Sequence, residues 1–156
     1  MRKLKIDIEL LMELGLKETR GEGECYINLN DGEFAYIPQN IIESLKNKEL
    51  YDSLESWEKE LASVAEDIIM NYSENYLYIP LIDENILLEG MKKFIVSLTD
   101  DKQKLLNSKI DWDNAFLTFN RVLLDADLLD QYYDFRDSYL TEFLKKWLKD
   151  NNIEII

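Results

Sequence analysis

ECYINLNDGEFAYIP, residues 24–38, is the stretch on which the fold turns. Placing Asp31-Gly32 as a two-residue hairpin turn sets Leu29 opposite Phe34 and Ile27 opposite Tyr36. Cys25, Ile27, Leu29, Phe34 and Tyr36 then share one apolar face. A three-residue loop would set Leu29 against Glu33, a poorer pairing. The hairpin predicts a small antiparallel sheet, and what lies outside it reads mostly as helix.

Working outward, Ile8, Leu11, Met12 and Leu14 predict a short amphipathic helix capped by Asp7 and stopped at Gly15, followed by a flexible connector over residues 20–24. Pro38 ends the hairpin and opens a short helix through Leu45. Asp52 and Glu55 have capping-box spacing ahead of Leu54, Trp57, Leu61, Val64, Ile68 and Tyr72, a stripe expected to be buried. Residues 76–82 read as a third strand, confined to an edge by Pro80. Further helices are expected with Leu87, Met91, Phe94 and Leu98 on one face, from Asp100 to Asn107, and around Trp112, Phe116, Phe119 and Leu123. The last runs over about 127–149 with Leu128, Tyr132, Phe135, Tyr139, Phe143 and Trp147 inward, and Lys145, Lys146 and Lys149 near its negative end. The fold class is therefore α+β, mostly helical, with one β-hairpin plus a short edge strand. The expected organisation is a single domain over 1–156, with an N-terminal helix and connector over 1–23 and a folded core over 24–156.

Composition narrows the chemistry. A chain of 156 residues, 46% hydrophobic and 12% aromatic, is long enough to bury roughly 68–70% of its unfolded surface without disulfides or metal. No apolar run reaches membrane-spanning length, and Met1-Arg2-Lys3-Leu4-Lys5 leads into Asp7 and Glu9 and not into an apolar signal core. With one cysteine, Cys25, the expectation is a cytoplasmic protein. There is no histidine, so no His-based triad, Cys-His dyad or His-ligated metal site is available within the chain.

The charge is local. Between Glu49 and Glu89 there are 11 acids and one base, Lys59, so this segment holds a net −10 of the chain's −14. Such a field disfavours direct nucleic-acid binding and suits a basic protein partner.

The block AFLTFNRVLLDADLLDQYYDFRDSYLTEFLKKWLKDNNI carries Ala115, Phe116 and Phe119, then Leu128 or Leu129, the pair Tyr132-Tyr133, Phe135-Arg136, Trp147-Leu148 and Ile153. It resembles the C-terminal signature of a bacterial group called uncharacterised protein family 0158. The hairpin, the Trp57 helix, Tyr78-Ile79-Pro80 and Met91 to Phe94 follow the same order, and Tyr132 stands where that family favours Trp. The resemblance implies a fold and no activity.

Other motifs have bland readings beside sharp ones. The aromatics from Trp112 to Trp147 have the spacing of buried helix faces, against a base-stacking platform. Arg136 is an anion-binding residue or a structural ion pair or cation–π contact. Asp111 with Asp113, and Asp125, Asp127 and Asp130, suggest hard-cation ligands, yet each group sits at a helix start where a cap explains it. No metal or cofactor is expected, and Cys25 is expected to be a small buried hydrophobe. The reading is a non-enzymatic interaction or regulatory protein of unknown partner, using Glu49, Asp52, Glu55, Glu58, Glu60, Glu66 and Asp67. The alternatives are a nucleic-acid mimic that inhibits a DNA- or RNA-binding protein, and a carboxylate-only divalent-metal hydrolase.

Overall fold

The structure, a computed structural model, describes all residues 1–156. The elements follow in the order β1 (Arg2–Leu4), α1 (Ile8–Gly15), α2 (Lys17–Arg20), β2 (Gly23–Asn28), β3 (Phe34–Pro38), α3 (Gln39–Ser44), α4 (Lys48–Asp52), α5 (Ser56–Met70), β4 (Tyr76–Tyr78), α6 (Glu84–Val96), α7 (Asp100–Lys109), a 3-10 turn (Trp112–Asn114), α8 (Ala115–Asp125), α9 (Leu129–Asp150) and β5 (Ile153–Ile155). The fold is α+β and mostly helical, as the patterning predicts. Two compact units are distinguished: residues 1–81 with 144–156, and residues 82–143.

The first unit holds both sheets. One is antiparallel with strand order β3-β2-β4, so the hairpin and the short edge strand are where expected. Its register differs from the sequence reading. Ile27 lies opposite Phe34 and Cys25 opposite Tyr36, a slip of two residues. The cause is the side chains of the turn. Asn28 Oδ1 accepts from the Asn30 N–H at 2.9 Å and Asp31 Oδ1 from the Glu33 N–H at 2.9 Å, while Gly32 N–H donates to the Asn28 carbonyl at 2.8 Å. These local bonds hold a wider loop in place of a two-residue turn. Leu29 leaves the ladder and donates its N–H to the Asn75 carbonyl at 2.8 Å.

A slip of two preserves the faces, because side chains alternate with period two. Cys25 and Ile27 are fully buried on the expected face. The opposite face is apolar as well: Ile37 is buried with Ile41, Ala62, Ala65, Ile68 and Tyr76, and Tyr26 and Ala35 pack against that cluster.

The second sheet was not anticipated. β1 and β5 pair in parallel, Arg2 with Ile153, Lys3 with Glu154 and Leu4 with Ile155. Within the segment read as a connector, Arg20 is 6% exposed. Its guanidinium donates to the Ile79 carbonyl at 2.7 Å, lies 3.4 Å from Glu24 Oε2, and sits 5.5 Å from the Tyr78 ring centroid.

The second unit is helical. Met91, Phe94, Ile95, Leu106, Ile110, Ala115, Phe119, Leu123, Leu128 and Tyr132 form its core. Tyr132 packs edge-on to Phe119 at 4.8 Å and to Phe94 at 5.3 Å between ring centroids. Core packing thus accounts for Phe119 and Tyr132, as the helical spacing predicts. Phe116 does not follow, being 48% exposed, since α8 turns Ala115 inward in its place. Gly90 on α6 lets the Tyr139 ring approach so closely that a Cβ would meet it at 2.9 Å.

Candidate functional site

The acidic segment begins at α4. Asn47 caps this helix, its Oδ1 accepting from the N–H groups of Glu49 and Leu50 at 3.0 and 3.3 Å. Glu49 therefore sits in the first turn, where a carboxylate is favourable, and Asp52 closes the helix. Both are exposed.

At α5 the capping box is present, but with Glu55 and Glu58 as its partners and not Asp52 and Glu55. The Glu55 N–H donates to Glu58 Oε1 at 3.1 Å, and Glu58 Oε2 also accepts from Asn40 Nδ2 at 3.1 Å. Asp67 is engaged at the other end of the helix. Its Oδ1 accepts from Asn71 Nδ2 and its Oδ2 from the Tyr76 hydroxyl, each at 2.7 Å. That bond is the leading reason the Tyr76 phenol is pushed above its ordinary value, with burial second. Glu60 and Glu66 project into solvent.

The buried stripe of α5 is rotated from the one the sequence suggests. Ala62, Ala65 and Ile68 face the core, whereas Trp57 is 59% and Val64 39% exposed, and Tyr72 beyond the helix is also exposed. The small Cβ of Ala62, fully buried, lets the helix lie close to Ile37, Ile41 and Tyr76. Trp57 is displaced outward by that rotation. Its indole N–H donates to Glu55 Oε2 at 2.7 Å.

At 100° per residue, Trp57, Glu60, Val64 and Asp67 fall on one exposed face of α5, spaced 3, 4 and 3 residues apart. Apolar and acidic side chains therefore alternate along a ridge. Ile69 and Met70 add further exposed apolar surface at the C-terminal end of the helix. Sequence reasoning assigned Trp57 and Val64 to the core. The signal that could have corrected it is the pair Ala62 and Ala65, which a pattern search scores weakly beside a tryptophan.

The remaining candidates are structural in their placement. The Arg136 guanidinium stands over the Tyr133 ring at 4.9 Å, and its Nη2 is 3.4 Å from Asp137 Oδ1. Asp111 caps the 3-10 turn, accepting from the Asp113 N–H at 3.1 Å and from Asn114 Nδ2 at 2.8 Å. Asp127 takes a left-handed backbone, φ 58°, between α8 and α9. No three acidic or cysteine side chains converge as a metal-holding group. Cys25 is wholly buried, and burial pushes its thiol up despite the nearby Arg20 guanidinium.

No family model, curated protein or solved structure matches this chain. No helix is long and apolar enough to cross a membrane.

Proposed function

We propose that the protein is a non-enzymatic docking protein whose α5 ridge receives a basic partner segment, working in the cytoplasm where a lone buried thiol stays reduced. The carrying observation is that Trp57 and Val64 stand exposed on the same helix face as Glu60, whose carboxylate projects into solvent. A surface kept acidic only for solubility does not call for a tryptophan 59% exposed among the acids. Paired with acids, it is the complement of an amphipathic helix that carries lysine or arginine beside leucine.

This reading is preferred over a nucleic-acid mimic on one ground. A mimic needs a continuous row of available carboxylates matching phosphates every ~1.7 Å along a duplex. Glu55, Glu58 and Asp67 are already bonded within the fold, and Trp57 and Val64 interrupt the row. Membership of family 0158, carried by the block over residues 115–153, would supply a bacterial setting and no activity.

The test is Trp57 emission during titration with a synthetic Lys/Leu amphipathic helix. A blue shift that is absent in Trp57→Phe, weakens with salt, and is lost in Glu60→Lys but kept in Glu66→Lys, which lies on another face of α5, supports the ridge. Equal binding of a Glu/Leu helix, or an unmoved Trp57 signal, removes it.

A further inference from the structure

The antiparallel sheet has β2 in its middle, and the bonds of that strand show which way each neighbour faces. The Asn28 N–H donates to the Glu33 carbonyl at 2.8 Å, whereas the Ile79 N–H donates to the Cys25 carbonyl at 2.9 Å and the Leu29 N–H to the Asn75 carbonyl at 2.8 Å. Even-numbered residues of β2 therefore bond to β3 and odd-numbered ones to β4. Carried across the register, Ala35 and Ile37 face β2, while the main-chain groups of Phe34 and Tyr36 point to the outer side of β3. No strand lies on that side, and these N–H groups and carbonyls make no hydrogen bond within the chain.

The edge is reachable. Tyr36 is 37% exposed, Phe34 is half-buried, and a groove of about 540 Å³ adjoins Phe34. Ile37 is buried, but its main chain already serves β2, and Pro38 follows with no N–H to offer. The open ladder is thus confined to residues 34–36.

Charge chooses the occupant. β3 carries no charged side chain, yet five acids and no base lie between Gly21 and Leu45. Glu24 is paired with Arg20 and Asp31 is held in the turn, whereas the carboxylates of Glu22 and Glu33 are exposed and make no bond. Glu33 precedes Phe34; Glu22 lies at the other end, where the Tyr36 hydroxyl donates to its carbonyl. Each end of the edge therefore has an unengaged negative charge. Lys5 shares the groove with Glu33, makes no ion pair, and is outnumbered there by Asp7, Asp31 and Glu33. A second copy pairing antiparallel about Ala35 would fill the same main-chain bonds, but it would bring Glu33 of one chain toward Glu22 of the other at both ends. In a chain of net −14 that arrangement is repulsive. A basic strand meets the same two charges as attractions.

We propose that the outer edge of β3 binds an extended basic segment of a partner protein, which adds antiparallel as a fourth strand. Two alternate residues of the segment exchange main-chain bonds with Tyr36 and Phe34. Three uncharged residues, β-branched to pack beside those rings, separate a lysine or arginine opposite Glu33 from another at the Glu22 end. The site does not rest on the α5 ridge.

The experiment titrates the full chain with three capped peptides: Lys-Val-Thr-Val-Lys, Glu-Val-Thr-Val-Glu, and the lysine peptide with both valine nitrogens methylated. The lysine peptide is expected to shift the amide resonances of Phe34 and Tyr36 and to slow hydrogen exchange at both. Its affinity is expected to fall roughly tenfold in Glu22→Lys/Glu33→Lys and to stay unchanged in Glu60→Lys on α5. Both glutamates are exposed, so the double variant keeps its fold, which circular dichroism checks. The glutamate and methylated peptides are expected not to bind. Absence of lysine-peptide binding, equal binding of either control, or resonance shifts confined elsewhere overturns the proposal. Loss of binding in Glu60→Lys would put the peptide on the α5 ridge, and shifts at Phe34 and Tyr36 that track protein concentration alone would make the edge a self-interface; either overturns addition of a basic strand.

Discussion

The helical unit of residues 82–143 and the contact between α5 and the antiparallel sheet are both apolar cores, but they are built from side chains of different size. In the first, Phe94, Phe119 and Tyr132 interlock through their rings. In the second, Ala62 and Ala65 bring α5 close to the sheet residues Ile37 and Tyr76. Large aromatics fix a helix face by what they must bury; alanines fix one by what they allow to approach. The first kind of core is visible in a periodicity and the second is not.

The comparison breaks most directly at Phe119. Phe119→Ala is expected to cost about 3–5 kcal/mol, read by urea unfolding, because the ring is fully buried and packs against the rings of Trp112 and Tyr132. A loss below about 1 kcal/mol would mean the ring core is slack. In the other core the opposite change is the damaging one. Ala62→Leu is expected to cost about 1–3 kcal/mol by overpacking, and a stabilised variant would show that α5 has room to rotate back.

Alkaline pH should act on the sheet side. Burial is the leading cause that raises the Tyr26 phenol, and hydrogen bonding to Asp67 and to Glu24 leads for Tyr76 and Tyr78; all three lie above the ordinary value of 10.0. Folding therefore favours the protonated phenols. That stability is fully present below the unfolded value and is lost as pH rises through the folded ones. Thermal melts should show the midpoint falling as pH rises above the ordinary phenol value of 10.0, and Tyr76→Phe should make that fall shallower. At neutral pH, Tyr76→Phe is expected to cost about 1 kcal/mol for its bond to Asp67.

The smallest effect should come from the largest side chain on α5. Trp57→Ala is expected to change stability by less than about 0.5 kcal/mol, since its indole is mostly in solvent. A loss of several kcal/mol would return Trp57 to the core and remove the docking ridge with it.

These contrasts say why some of the molecule was legible in the sequence. The hairpin at Asp31-Gly32 and the helices around Phe94, Phe119 and Tyr132 announce themselves through turn chemistry and ring periodicity. The hairpin register escaped because Asn28 and Asp31 bond their own loop, a competition that strand alternation alone does not weigh. The ribbon of β1 and β5 escaped for another reason. Each strand has three residues, too few for a period, and they lie about 150 positions apart. Of the candidate site, the acids were legible as composition, but not that Glu55, Glu58 and Asp67 are committed within the fold.

That ribbon also sets how the chain bears a load. Its strands run parallel, with Met1 leading into β1 and Ile156 leaving β5. A pull applied through those two residues drags the strands past each other along their length. The bonds between them, including Arg2 to Asn152 and Leu4 to Ile156, are then strained together and not peeled one at a time. A three-residue clasp of this geometry resists tension in shear, at the place where force transmitted along the chain would first arrive.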